Sequence, residues 1–409
     1  MNPEALDKLP VIVLAGALAG LVSYLLTPLA IRLAPRLGAV DDPTDERRVH
    51  RHPIPRTGGL AVAVSFVGVG LAGLLANEVL QFAPPLKAAR MPQMLALFLG
   101  VAIGAMIGYL DDRFQLRARW QLLAQLLLAG IALAAGITFD SFVNPLGGPP
   151  IQFGGVVVFE VAGFVLDVGL AVLVTLWIVG MVNSVNFVDG LDGLLAGIAI
   201  IAALTLGVIS LVNEPVQPAV ALLCALLAGS LLGFLPWNFH PARVFIGTAG
   251  VFAVGYALAV LSVLGTAKVA VALLVMGVPI IDTFWVITRR LASGRAPFSA
   301  DRGHFHHRLL DLGLSHRGAV LVIYFICAVL AVLSLLLTGR GQLSAFVIIV
   351  IGSGFILYLM TRAAREALEA ESYPDEGRVV AAEAGRPDRE VSGMSAHAPD
   401  GKTGSARPG

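Results

Sequence analysis

Apolar stretches of about 20 residues recur along most of this chain, and no other feature constrains its fold as strongly. A helix rises about 1.5 Å per residue, so such a stretch crosses the roughly 30 Å of hydrocarbon in a bilayer. The runs fall at 10–34, 58–77, 93–110, 120–138, 164–182, 194–212, 216–235, 249–265, 269–288, 318–338 and 342–361. That pattern predicts an all-α polytopic integral membrane protein with about eleven transmembrane helices. Composition agrees, because only 13% of the 409 residues are charged and 57% are hydrophobic. A soluble domain carries roughly a quarter of its residues as charges, so this chain cannot coat itself for water in the usual way. Intrinsic disorder of the whole chain and a disulfide scaffold are excluded. The net charge of +1 leaves no basic surface for nucleic acid. Cys224 and Cys327 sit far apart inside apolar runs and are read as packing residues.

The first run follows Glu4, Asp7 and Lys8. It lacks the clustered positive charge and small-residue cleavage pattern of a secretory signal, and is read as a retained anchor. Positive residues resist translocation, so alternate loops reveal orientation. The loops at 32–57, 111–119, 236–248 and 289–317 hold sixteen Lys and Arg, and the opposite set holds five. The first set is therefore expected on the cytoplasmic side, with the N-terminus outside and the C-terminus cytoplasmic. Residues 140–160, with Gly147, Gly148, Pro149 and Pro150, are expected to form a short external β-hairpin or loop. The membrane domain is expected to span 1–361. Beyond it, 362–409 is rich in Ala, Gly, Glu, Arg and Pro, as in a disordered cytoplasmic tail.

The scarce polar residues gather on one face. Seven of the eight histidines lie in the loops assigned to the cytoplasm, together with most of the carboxylates and arginines. Asp111 and Asp112 follow an apolar helix directly. Adjacent carboxylates repel unless a proton or cation is shared, and a divalent metal with oxygen ligands would relieve them. Alternatively, they are solvated acids balanced by Arg113 and Arg117. Asn183, Asn186, Asp189 and Asp192 place an oxygen-bearing side chain at every third residue between two apolar runs. Helix caps would account for one or two of them, whereas four polar side chains at a membrane edge point to function. Asp301, Arg302, His304, His306, His307 and Arg308 form a third constellation. Histidines flanked by arginines suit an anionic phosphate ligand; the alternative is a charged loop resting on anionic lipid headgroups.

Together these pieces resemble the polyprenyl-phosphate N-acetylhexosamine-1-phosphate transferases. The resemblance rests on Arg47 to Gly59 (RRVHRHPIPRTGG), on Asp111 and Asp112, and on Asn183 to Gly193 (NSVNFVDGLDG). It continues in Pro241 to Gly247 (PARVFIG), Asp282 and Thr283, and Asp301 to Leu309 (DRGHFHHRL). The pieces occur in the family's order over about 50–315, and the last is more like the GlcNAc-1-phosphate branch than the phospho-MurNAc-pentapeptide branch. The resemblance implies an eleven-helix fold in a bacterial inner membrane with the active site on the cytoplasmic face. The implied reaction moves GlcNAc-1-phosphate, or a related HexNAc-1-phosphate, from the UDP-sugar to undecaprenyl phosphate, releases UMP, and starts an envelope polysaccharide. It also implies Mg2+, with Mn2+ as a substitute, and leaves a monomer and a homodimer both open. By the same resemblance Asp111, Asp112, Asp189 and Asp192 are catalytic, and Asn186 and Thr248 hold the metal. Arg48, His50, Arg56, Asn183, Asp301, Arg302, His304, His306, His307 and Arg308 bind substrate.

One position departs from the family. Its usual Val-Phe-Met-Gly-Asp run reads Val244, Phe245, Ile246, Gly247, Thr248 here, so a neutral hydroxyl stands where a carboxylate ligand is expected. A weakened or binding-only family member is therefore the second reading.

Overall fold

The computed structural model describes residues 3–41, 53–80, 91–139, 158–161, 164–264, 277, 309–310, 313–337 and scattered positions from 341 to 362. All elements below belong to the first of two units, Met1–Gly354; in the second, Phe355–Gly409, only Phe355 and Arg362 are described. Nine long helices form among the described residues: α1 Pro3–Leu37, α2 Gly58–Leu80, α3 Met91–Phe114, α4 Ala118–Ala134, α5 Val168–Val188, α6 Leu194–Val212, α7 Pro218–Asn238, α8 Gly247–Val263 and α9 His316–Leu336. Seven of them are long and apolar enough to cross a membrane, and α4 and α8 are shorter apolar helices of 17 residues each. Each of the nine overlaps one of the expected spans. Of the span at 269–288 only residue 277, which is helical, is described, and the one at 342–361 shows only scattered helical positions.

The hairpin differs from expectation. Strands β3 Val158–Val161 and β4 Phe164–Asp167 pair antiparallel, Val158 opposite Asp167, so the paired residues extend past 160 into the stretch expected to begin a membrane helix. Asp167 ends the strand and caps α5, its carboxylate accepting the Leu170 N–H at 3.2 Å. The N-terminal N–H groups of a helix lack partners within it, so a capping acid fixes where it starts. Residues 140–157 lie outside the described residues.

Packing follows from which helices are apolar all round. Residues of α8 from Ala249 to Ser262 are buried without a break, as expected for a helix enclosed by others rather than facing lipid. It packs against α2, α3 and α5. Helices α1 and α7 meet where Gly16 and Gly20 face Gly229 and Gly233, so closely that a Cβ on Gly229 or Gly233 would collide with the opposite backbone. Lipid tails are as apolar as leucine, so close backbone approach through small residues is one way membrane helices associate. The periphery carries bare leucines and phenylalanines, such as Leu14, Leu75, Leu176, Phe325 and Leu336.

Backbone bonds tie together the segments that flank the helices at one end of this bundle. Strands β1 Val40–Asp41 and β2 Ile54–Pro55 pair. Pro55 O then accepts the Phe245 N–H at 2.8 Å, and the N–H groups of Gly58 and Gly59 reach Phe245 O and Ile246 O at 3.0 and 2.8 Å. Two sequence pieces nearly 190 residues apart thus lie side by side, where α2 and α8 both begin.

Candidate active site

The site is built from helix ends. Asp112, in the last turn of α3, is buried, and its carboxylate lies across the start of α8. Oδ1 accepts the Thr248 N–H at 3.0 Å and Oδ2 accepts the Ala249 N–H at 3.1 Å. The Thr248 hydroxyl adds a further bond to the same carboxylate. A helix N-terminus presents free N–H groups and a partial positive charge, so it is a natural seat for an anion. Gly247 makes the approach possible. Its φ of +67° disfavours a side chain, and a Cβ there would collide with Arg56 O and sit 2.7 Å from Asp112 Oδ2. Arg56 stands between two acids, its guanidinium 3.3 Å from Asp41 and 3.9 Å from Asp112.

Asp111 faces elsewhere. Its Oδ1 accepts the Leu116 N–H and the Gln121 amide, both at 2.9 Å, and so locks the turn from α3 into α4. Consecutive helix residues point about 100° apart, and each of these two carboxylates finds its own donors.

The 183–193 stretch divides in the same manner. Asn183 turns inward and donates to the buried Gln125 at 2.8 Å and to Val179 O at 2.8 Å. The Asn186 side chain is exposed and makes no hydrogen bond with the described residues. Asp189 is the C-cap of α5. Burial pushes its carboxyl up to about 7, the nearby charge of Asp112 and that of Asp192 add to the rise, and Arg56 opposes it. Charge is expensive to desolvate and more so beside its own sign.

Asp192 is buried and held by two other segments. Its Oδ2 accepts from His240 Nδ1 at 2.7 Å and from the Ala242 N–H at 3.1 Å, while its own N–H donates to His316 Nε2 at 3.0 Å. The two imidazoles stack, with centroids 4.2 Å apart and planes 15° from parallel. The next residue is fixed as well: Gly193 N–H donates to Asn238 Oδ1 at 3.1 Å, and Gly193 O accepts the Tyr324 hydroxyl. The three ligand-type atoms of Asp192, His240 and His316 lie within 4.8 Å of one another. They nevertheless do not form a metal cage. Two ligands on one tetrahedral ion at about 2.0 Å each stand about 3.3 Å apart, whereas Asp192 and His240 are in direct hydrogen-bond contact. Near-parallel stacked rings also aim their lone pairs side by side rather than at a common point.

Of the residues expected in the site, Arg56, Asp112, Asp189, Asp192 and Thr248 converge. Asp111 and Asn183 are tied to α4, and Asn186 is at the surface. Arg48, His50, Asp301, Arg302, His304, His306, His307 and Arg308 lie outside the described residues. His240, His316 and Gln125 were not singled out from sequence. Their only signal was that both histidines lie on the polar face with the others.

A magnesium ion fits what is present. The Asn186 side chain is exposed, and the Thr248 hydroxyl stands beside the Asp112 carboxylate at the start of α8. Asp112, Asp189 and Asp192 gather negative charge around Arg56. Oxygen donors in an excess of negative charge suit a hard divalent cation that retains waters and substrate phosphates as ligands.

Between α3 and α4 lies an apolar cleft of about 330 Å³, lined by Ile107, Leu116, Trp120, Leu123, Ala124 and Leu127. It adjoins the turn that Asp111 locks, since Leu116 lines the cleft and donates to Asp111.

Comparison with known proteins gives the family. Residues 94–266 match the model described as Glycosyl transferase family 4. A probable undecaprenyl-phosphate N-acetylglucosaminyl 1-phosphate transferase of Bacillus subtilis is 36% identical over 347 residues, covering 83% of this chain and 89% of its own. A decaprenyl-phosphate N-acetylglucosaminephosphotransferase of Mycolicibacterium smegmatis is 33% identical, covering 78% and 80%. A phospho-N-acetylmuramoyl-pentapeptide-transferase of Desulforudis audaxviator is 34% identical, covering 81% and 100%. A multi-pass membrane protein whose carboxylates meet at the helix ends, similar to these transferases over about four fifths of its length, belongs to glycosyl transferase family 4.

Proposed function

We propose that this protein transfers GlcNAc-1-phosphate from UDP-GlcNAc to undecaprenyl phosphate and releases UMP. The observation that carries the reading is the meeting of Asp112, Arg56 and the start of α8 beside Asp189, whose carboxyl burial and the charge of Asp112 push up to about 7. A group poised near the working pH is suited to general base chemistry. A lipid monophosphate gives up its second proton near pH 6, so Asp189 takes that proton from the attacking phosphate. The attacking oxygen bonds to the phosphorus that bears the sugar, and the bond from that phosphorus to the UMP oxygen breaks.

Phosphoryl transfer needs alignment and charge stabilisation more than covalent help. Arg56 offsets the repulsion between two anionic substrates. Asp112 holds the start of α8 and Arg56 in register. Asn186 and Thr248 would hold magnesium, which when bound supplies positive charge between the phosphates. Asp301, Arg302, His304, His306, His307 and Arg308, with Arg48 and His50, complete the binding of the diphosphate and sugar. The cleft between α3 and α4 takes the first isoprene units of the acceptor, leaving its phosphate at the polar end.

In this reading the protein sits in a bacterial plasma membrane with the site on the cytoplasmic face, where UDP-sugars occur. Residues 1–361 form the transferase domain, and 362–409 form a tail outside it. The binding-only alternative raised by Thr248 finds no support: the relatives are named as transferases, and Thr248 has a place in the site through Asp112. Membranes containing the protein, given radiolabelled UDP-GlcNAc, undecaprenyl phosphate and magnesium, should form a labelled polyprenyl diphosphate and UMP. Absence of both products under these conditions would refute the assignment.

A further inference from the structure

Asp192 was expected to be catalytic, yet its surroundings are those of a fastened strut. One oxygen, Oδ2, takes both available donors, His240 Nδ1–H and the Ala242 N–H, at 2.7 and 3.1 Å. The Asp192 N–H ends on His316 Nε2 at 3.0 Å. The hydrogen-bond pattern assigns the tautomers: Nε2 of His316 accepts and is unprotonated, and Nδ1 of His240 donates. Arg317 donates to His240 O at 2.9 Å and closes the network from the α9 side. The turn joining α5 to α6 is thus pinned to the 238–242 segment and to the first turn of α9. Asp189 lies three residues before Asp192, at the head of the same turn, and feels its charge.

We propose that Asp192, His240 and His316 form a positioning network that sets the turn carrying Asp189, and that Asp192 acts through hydrogen bonds rather than as a chemical acid or base. The proposal rests on the transferase reading above. A hydrogen-bond role and a charge role separate cleanly here, because Asn can offer one carbonyl oxygen where Oδ2 accepts both donors. In the same way Asn can place an amide nitrogen where His240 Nδ1 lies, and Gln an oxygen where His316 Nε2 lies. Misplacing a reacting group by about 1 Å costs roughly a hundredfold in rate, and that is the scale expected when the network is cut.

The test measures kcat, and KM for each substrate, in the purified full-length protein with magnesium. Asp192→Ala, His240→Ala and His316→Ala should lower kcat roughly a hundredfold while KM for the lipid changes little. Asp192→Asn, His240→Asn and His316→Gln should each recover most of that loss, to within about tenfold of the unsubstituted protein. A merely structural role would lower the yield of folded protein without this split or this rescue. The proposal is overturned if Asp192→Asn elutes as folded protein on gel filtration yet is as inactive as Asp192→Ala, or if His316→Gln is no better than His316→Ala. Should the unsubstituted protein turn over no UDP-GlcNAc, the transferase reading fails by itself. The network is then read from UDP affinity in the same six variants, with the same ranking expected and its absence fatal.

Discussion

Asp112 and Thr248 stand 136 residues apart in sequence and are joined by a 3.0 Å bond from the Thr248 N–H to Asp112 Oδ1. With the matching bond from Ala249 at 3.1 Å, it makes the last turn of α3 the cap of α8. Asp112→Ala would leave both N–H groups without their partner in a buried setting, a loss of about 1–3 kcal/mol. Asp112→Asn keeps one good acceptor and should fall between. Thermal unfolding of the detergent-purified variants checks the order, with activity falling in the same sequence as the start of α8 loosens from Arg56.

The pH dependence follows from Asp189. Its carboxyl is raised to about 7, so it is charged and able to accept a proton above that pH and neutral below it. Activity should therefore decline as pH falls through about 7, one decade per pH unit in the acid limb. A nearby cation favours the charged form, so raising magnesium should move the limb to lower pH. Asp189→Asn should remove the base, abolishing the limb together with nearly all turnover. A pH profile of kcat/KM at two magnesium concentrations measures both effects.

Much of the fold was open to reading in the sequence because a bilayer imposes one length and one polarity on whatever crosses it. All nine long helices among the described residues fall on expected spans for that reason. The hairpin was placed too early because residues 164–167 are as apolar as a helix start, and only Asp167, as a cap, separates strand from helix. The carboxylates were visible as residues out of place in so apolar a chain, but where each one points was not. Asp111 and Asp112 read as one pair, yet one binds the turn to α4 and the other the start of α8. That division depends on how α3 packs against α8, and sequence spacing carries no record of it. His240 and His316 were visible only as members of the polar face, and their roles were not, for the same reason: each is a single polar residue whose meaning comes from a stacked partner in another segment.

Thr248 offers a sharper test. A carboxylate there would stand beside Asp112 and add like charge to a site already rich in it. Thr248→Asp should consequently unfold at lower temperature without magnesium, because the new charge replaces a hydroxyl that donates to Asp112. With magnesium it should reach half-maximal activity at roughly tenfold lower metal, the scale seen when ligand surroundings change at metal sites. Titrating activity and melting temperature against magnesium gives both quantities, and an unaltered magnesium requirement would place Thr248 away from the metal.

The cleft between α3 and α4 gives the last prediction, since it separates the two substrates. Leu123 and Leu127 line it while remaining about half exposed to the lipid side, so larger side chains fit there without disturbing the core. Leu123→Trp or Leu127→Trp should fill space that the isoprenoid would occupy. Excluding two methylenes from apolar contact costs about 1.6 kcal/mol, so KM for undecaprenyl phosphate should rise by roughly tenfold. KM for UDP-GlcNAc should not change, because the nucleotide-sugar makes no use of the cleft. A short, water-soluble phosphate acceptor with no isoprene unit, which cannot reach these residues, should be converted equally by both variants and the unsubstituted protein. Steady-state kinetics with long and short acceptors reads the difference, and an equal rise in KM for both would move the lipid path to another face of the bundle.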